Sequence, residues 1–442
     1  MQQNKPLTLH HNFSWTFVGN LVYAACQWGM LVVLAKVGSP EMVGQFTLGL
    51  AVTAPVVMLT NLQLRYVQAT DVKHQYIFGD YLSLRIASSV LALLVIVVIT
   101  LTAGYRWQTS LIILLIGLAK AFESISDVFY GLLQKHERMD RIALSMMIKG
   151  PLSLLLLGIA VYISRSVVWG VVGLTVAWAL VLFGYDIRSG AGMLNHPEET
   201  PSSEETRKQH TTDVVQPRWH LETVAKLVWL ALPLGIVMML ISLNTNIPRY
   251  FIERHLGERE LGIFAAIAYL MMVGSMVVNA LGQSATPRLA KYYASGNGIA
   301  FRTLLLKLIG LGALLGGTSI LVALVAGEQI LTLLYQAEYA QHKDILVWLM
   351  AAAAVGYISS FLGYGMSAAR YFRIQIPLFV LVTSSLAVTC FWLLPIHGLR
   401  GAVIAQIIAS TVQASLSLGV ILHALHKINK HKGKESEPLS QA

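Results

Sequence analysis

Residues 111–135 read LIILLIGLAKAFESISDVFYGLLQK. The first half is aliphatic and uncharged. The second half carries Lys120, Glu123 and Asp127, spaced by three and four residues. As a helix the stretch is long enough to cross the ~30 Å of hydrocarbon in a bilayer. At ~100° per residue the three charges fall within an arc of about 60°. Ser124, Tyr130, Gly131 and Gln134 lie on or near that face, and Phe122, Ile125, Phe129 and Leu132 lie on the other. A charged stripe at membrane depth needs a protein-lined or watery neighbour rather than lipid. The stretch therefore predicts a bundle of several spans with a polar interior.

Composition agrees. Of 442 residues, 55% are hydrophobic and only 12% are charged, and the mean hydropathy is +0.63. Soluble domains carry about 25% charged residues, so the chain reads as an all-α integral membrane protein. Its apolar runs are continuous, unlike the ~10-residue alternating segments of a membrane barrel. Helices also satisfy their own backbone in lipid. Twelve transmembrane helices are expected, at 13–36, 41–64, 80–103, 109–134, 142–164, 167–188, 224–248, 260–284, 302–326, 345–369, 374–396 and 399–424. The first run is too long for a cleaved signal peptide and counts as a span. Cys26 and Cys390 fall inside spans, which gives neither a disulfide framework nor a metal site.

An even number of spans puts both termini on one side. With that side cytoplasmic, its segments and adjoining span ends hold 23 of the 32 Lys and Arg, the other side holds 8, and Lys120 alone is left in mid-membrane. The positive-inside rule thus places both termini in the cytoplasm. The formal charge of +10 then lies wholly on the cytoplasmic face. Topology and anionic membrane lipids account for that excess, and nucleic acid is not an expected partner.

The longest hydrophilic stretch, 189–223, is rich in Glu, Ser, Thr and Pro and reads as a cytoplasmic linker. It separates an N-terminal lobe of six helices (1–188) from a C-terminal lobe of six (224–426), followed by a basic tail (427–442). Residues 37–46, VGSPEMVGQF, and 256–264, LGERELGIF, repeat Gly, Glu, Gly and Phe in order. Both lie on the same expected side, so the repeat is parallel, about an axis along the membrane normal. Two such lobes enclose a central cavity suited to alternating access. The sequence shows no P-loop, zinc pattern or nucleophile motif in context, so no catalytic residue, metal or organic cofactor is expected.

Five segments carry a family resemblance: LTNLQLRYVQATD (59–71), KAFESISDVFYGLLQKHERMD (120–140), SLNTNIPRYFIERHLGERELGIF (242–264), QSATPRLAKYYASG (283–296) and LGYGMSAARYFRIQIPLF (362–379). The chain resembles the Wzx-type polysaccharide and O-antigen flippases of the MOP superfamily, which also holds the MATE exporters and the lipid II flippase. The resemblance implies a MATE-like fold in the bacterial cytoplasmic membrane. It implies transport of an undecaprenyl-diphosphate-linked oligosaccharide from the inner to the outer leaflet, with polymerase and chain-length proteins of the same pathway as partners. An ion gradient, H+ or Na+, would drive the cycle.

Each candidate site has two readings. Lys120 and Glu123 form either an ion pair that locks the fourth span or a cavity lining that meets phosphate or sugar. Asp127 is either capped by a cytoplasmic arginine or part of that lining. In NTNIPRY, 244–250, Pro248 disrupts the helix ladder at the outer end of the seventh span. Asn244, Asn246 and Arg249 there either anchor a helix end or form an outer gate or glycan contact. Arg65, Arg85, Arg288, Arg370 and Arg373 sit at cytoplasmic span ends, where they serve positive-inside anchoring or capture the diphosphate with guanidinium forks. Two other functions compete: a MATE-like exporter of small organic cations, and a membrane glycosyltransferase or polymerase. The second would need a large outer loop, which the sequence lacks.

Overall fold

The computed structural model describes residues 9–71, 75–194, 216–371 and 373–435, and among them there is no strand. The helices are α1 (Leu9–Val37), α2 (Pro40–Asn61), α3 (Leu64–Thr70), α4 (Phe78–Thr102), α5 (Trp107–Lys135), α6 (Met139–Ser164), α7 (Val167–Val181) and α8 (Ile187–Leu194). After these come α9 (Leu221–Leu256), α10 (Glu258–Tyr269), α11 (Met271–Ala294), α12 (Gly298–Leu334), α13 (Ala337–Ala340), α14 (Lys343–Ala368), α15 (Gln375–His397) and α16 (Leu399–Glu435). A π-helical turn, Leu182–Asp186, joins α7 to α8.

Local chemistry sets the ends. Ser39 caps α2, its side chain accepting from the Met42 amide at 3.4 Å, and Pro40 opens the first turn. Asn297 caps α12 through the Ala300 amide at 3.1 Å. The second span was expected to run unbroken to 64. Instead α2 stops at Asn61, because Leu62 and Gln63 both adopt left-handed φ values of 51°. That step is costly for residues with a Cβ. It re-aims the chain so that Asn61 and Arg65 both reach α5. Pro55 lies inside α2 without ending it.

Eleven helical stretches among the described residues are long and apolar enough to cross a membrane. The expected fourth span, α5, is the long helix outside that set, and it is the one that carries Lys120, Glu123 and Asp127. The chain is thus a multi-pass, all-helical membrane protein. Large apolar side chains such as Leu94, Val98, Leu101, Phe391 and Trp392 are exposed, as lipid-facing residues should be.

The chain forms two compact units, Met1–Ser242 and Leu243–Ala442. In the first, Phe78 and Phe129 pack with ring centroids 5.3 Å apart within a core that also holds Tyr81, Leu133 and the α9 residues Leu227 and Ala231. In the second, Phe301, Tyr357, Phe361, Val382 and Cys390 share a core. Lipid tails are as apolar as leucine, so helices in a bilayer associate through close packing and polar contacts. Gly316 shows the packing: a Cβ there would lie 2.4 Å from the Ala354 Cβ, so α12 and α14 meet through small residues. Of the expected linker, 189–194 continue α8 and 221–223 begin α9. Residues 195–215 of that linker and 436–442 of the basic tail lie outside the described residues.

Candidate functional site

The polar interior of the first unit is built on α5, in three layers along one helix face. In the first layer, the Lys120 Nζ donates to Glu123 Oε2 at 2.7 Å, and the Tyr23 hydroxyl of α1 donates to Glu123 Oε1 at 2.8 Å. The ammonium also lies 4.9 Å from the centre of the Trp178 ring on α7, a cation–π distance. The Trp178 indole N–H is itself held by Ser153 Oγ at 2.9 Å. Lys120 and Glu123 keep 24% and 29% of their side chains exposed.

The second layer is drier. Lys149 of α6 and Asp186 of the π-turn pair at 3.5 Å with 2% and 1% of their side chains exposed. The Lys149 ammonium also donates to Ser126 Oγ and the Tyr130 hydroxyl, both at 3.1 Å. Tyr130 and Ser145 share a hydrogen bond of 2.7 Å, and Ser145 Oγ donates to Asp186 Oδ1 at 2.5 Å. A π-turn widens a helix by one residue and often marks a functional position. Here it sets Asp186 against α6.

The third layer gathers two arginines on one carboxylate. Arg85 of α4 is fully buried and donates to Asn61 Oδ1 at 2.6 Å and Asp127 Oδ2 at 3.2 Å. Arg65 pairs with Asp127 Oδ1 at 3.6 Å and donates through Nε to Gln134 Oε1 at 2.8 Å. Ser124 completes the layer by donating to Asn61 Oδ1 at 2.8 Å. The Tyr130 ring links the lower two layers, with Arg65 5.5 Å and Lys149 5.2 Å from its centre.

In the second unit, Arg249 Nη1 donates to Asn246 Oδ1 at 3.1 Å. Among the described residues no group donates to the buried side-chain carbonyl of Asn244. The helix does not end near Pro248 as the sequence suggested; α9 continues two turns further, to Leu256. Arg288, Arg370 and Arg373 are exposed, and no hydrogen bond or ion pair among the described residues joins them to Asn244, Asn246 or Arg249.

The structure therefore brings Lys120, Glu123, Asp127, Arg65 and Arg85 together in one unit. It corrects two readings. Lys120 is not the sole cation held away from both surfaces, because Arg85 and Lys149 are more deeply buried. Arg85 is also no open phosphate fork in this structure, since Asn61 and Asp127 occupy it. Sequence reasoning missed Lys149, Asp186, Asn61 and the Lys120–Trp178 contact. One signal was available: Ser145, Lys149 and Ser153 recur every four residues, a polar stripe on an apolar span. Among the described residues no group of three or more His, Cys, Asp and Glu is placed to hold a metal ion.

These features define a polytopic helical membrane protein with buried charge inside its N-terminal unit. The chain belongs to the polysaccharide biosynthesis protein family, whose model matches residues 9–293. It is similar to the capsular polysaccharide biosynthesis protein CapF of Staphylococcus aureus, with 28% identity over 401 residues, which cover 91% of this chain and 96% of that one. Its fold resembles the inward-facing form of a multidrug resistance MATE family transporter of the MOP superfamily, at TM-score 0.69 and 14% identity, covering 96% of this chain and 100% of the other. It also resembles the lipid II flippase MurJ in an inward closed conformation, at TM-score 0.66 and 13% identity, covering 93% and 89% of the two chains. These solved structures are transporters and a flippase, not enzymes.

Proposed function

We propose that this protein flips undecaprenyl-diphosphate-linked oligosaccharide from the cytoplasmic to the outer leaflet of a bacterial inner membrane, with both termini in the cytoplasm. Family membership supports a role in polysaccharide biosynthesis. The observation that carries the reading is the Lys120–Glu123 pair, which stays partly exposed beside the dry Lys149–Asp186 pair. A partly exposed pair opens at lower cost than a fully enclosed one. When an anionic cargo draws Lys120 away, Glu123 keeps its hydrogen bond from Tyr23. Alternating access, driven by an H+ or Na+ gradient, then carries the headgroup across while the polyprenyl tail stays in lipid. A polymerase and chain-length proteins would take up the product.

Export of small organic cations fits less well. Such a cargo needs an open interior carboxylate, whereas Glu123 already holds Lys120 and Asp127 holds two arginines. The test is flipping of labelled lipid-linked oligosaccharide in proteoliposomes, read by lectin access from outside. Wild-type protein should transfer the glycan and K120A should slow it about tenfold, a barrier change of ~1.4 kcal/mol. Transfer no faster than in protein-free vesicles, or efflux of organic cations in its place, would overturn the reading.

A further inference from the structure

The helix α7, the π-turn and α8 together make one candidate membrane span, Val167–Leu194. One stripe of it has no protein neighbour: Val176, Leu180 and Phe183 are all exposed. With Ala179, Gly184 and Arg188 they line a groove of about 330 Å³. The π-turn shapes its deep end. Gly184 is exposed and a Cβ there would meet nothing within 4 Å, so a notch opens one turn before Arg188. Phe183 forms a fixed wall, its ring held edge-on by Phe122 of α5 with centroids 6.2 Å apart. Lipid tails are as apolar as leucine, so a chain is retained in such a groove by close fit and not by hydrophobicity.

The groove also has a charged end. Arg188 lies about 32 Å along the helix from Val167, at 1.5 Å per residue, which brings its guanidinium to headgroup level. It is exposed, and among the described residues no carboxylate pairs with it. Asp186, two residues earlier, pairs with Lys149 in the dry layer. A second guanidinium reaches the same turn, since Arg141 of α6 donates to the Ser189 carbonyl at 3.2 Å. The acid next to Arg141, Asp140, is taken by Arg138 at 2.7 Å. An apolar groove thus ends in net positive charge, a combination that suits an acidic lipid headgroup.

We infer that this stripe is a binding site for an anionic phospholipid. The lipid phosphate meets Arg188, and one acyl chain lies along Gly184, Phe183 and Leu180. The occupant braces the π-turn from the lipid side while Asp186 holds Lys149 on the protein side. Membrane headgroup charge thereby becomes a partner of the turn. The inference needs only that the chain spans a bilayer and stands apart from the flippase reading.

Native mass spectrometry tests it. The purified full chain in nonionic detergent is titrated with phosphatidylglycerol or phosphatidylcholine of identical acyl chains. Wild-type protein should retain the anionic lipid in preference. R188Q should reduce that preference about fivefold, which is ~1 kcal/mol for one basic group near a membrane surface. R288Q, at an exposed position of the second unit, should leave it unchanged. G184L fills the notch and should weaken both lipids alike. A preference that survives R188Q, or that falls equally in R288Q, would overturn the inference. So would binding that G184L does not touch. Displacement of phosphatidylglycerol by equimolar undecaprenyl phosphate would assign the groove to a polyprenyl chain and overturn the phospholipid site.

Discussion

Replacing Lys149 by methionine tests whether the second layer is as dry as its geometry indicates. The ammonium has three partners: Asp186 at 3.5 Å, and Ser126 and Tyr130 at 3.1 Å. With 1% of its side chain exposed, Asp186 would have no water to turn to in K149M. Removing one member of a buried pair costs about 3–5 kcal/mol, most of it the penalty of the stranded charge. D186N should cost a similar amount. Its amide oxygen still accepts from Ser145, but Lys149 is left without a carboxylate. The double variant K149M/D186N strands no charge, so its loss should fall short of the summed single losses by about 2–3 kcal/mol. The assay is unfolding of the full chain in detergent micelles with rising SDS, followed by far-ultraviolet circular dichroism. A K149M protein within about 0.5 kcal/mol of wild type, or strictly additive losses, would refute the assignment of a closed, water-free pair.

The third layer predicts an asymmetry between its arginines: R85Q, fully buried, should cost about 3 kcal/mol or more, and R65Q, partly exposed, about 1 or less. Equal losses in the same unfolding assay would contradict that ranking. At Gly282 of α11 an added Cβ would lie 2.2 Å from the Tyr364 ring, so G282A should cost about 1–3 kcal/mol through overpacking. Adding Y364A should relieve that cost, and failure of the relief would show that the contact is not the cause. E123Q keeps a partner for Tyr23 but removes the carboxylate from Lys120. It should slow flipping about tenfold, or ~1.4 kcal/mol, at unchanged protein level, and an unchanged rate would place the pair off the transport path.

Most of the fold was legible because lipid forces a simple code. Long apolar runs fix the spans, and the stripe on α5 announced a polar interior from spacing alone. Helix ends were less legible, since the left-handed step at Leu62–Gln63 has no glycine or proline to mark it. The site was half legible. Lys120, Glu123 and Asp127 stand out because aliphatic residues precede them, and the pairing of Asp127 with an arginine was one of the two readings offered. Lys149 was hidden because it lies near enough to a span end to be counted as a surface anchor, and Arg85, read as an anchor or a phosphate fork, gave no sign that Asn61 and Asp127 fill its guanidinium. Whether a lysine reaches out to water or turns inward depends on the helix beside it. Asp186 was hidden for another reason: the π-turn shifts its phase, so no α-helical period predicts the face it occupies.

That turn also bears on how the chain tolerates insertion and loss. In a regular α-helix, deleting a residue rotates everything beyond it by ~100° and scrambles the packed face. A π-turn already holds one surplus residue. Gly184 is exposed, and a Cβ there would meet nothing within 4 Å. Its deletion would collapse the turn to an ordinary α-helix and leave α7 and α8 in phase, with Gly190 still against Phe129. Asp186 alone would swing off its mark. The aim of the acid and the alignment of the helix are thus separate properties, and a one-residue length change is enough to alter the first while sparing the second.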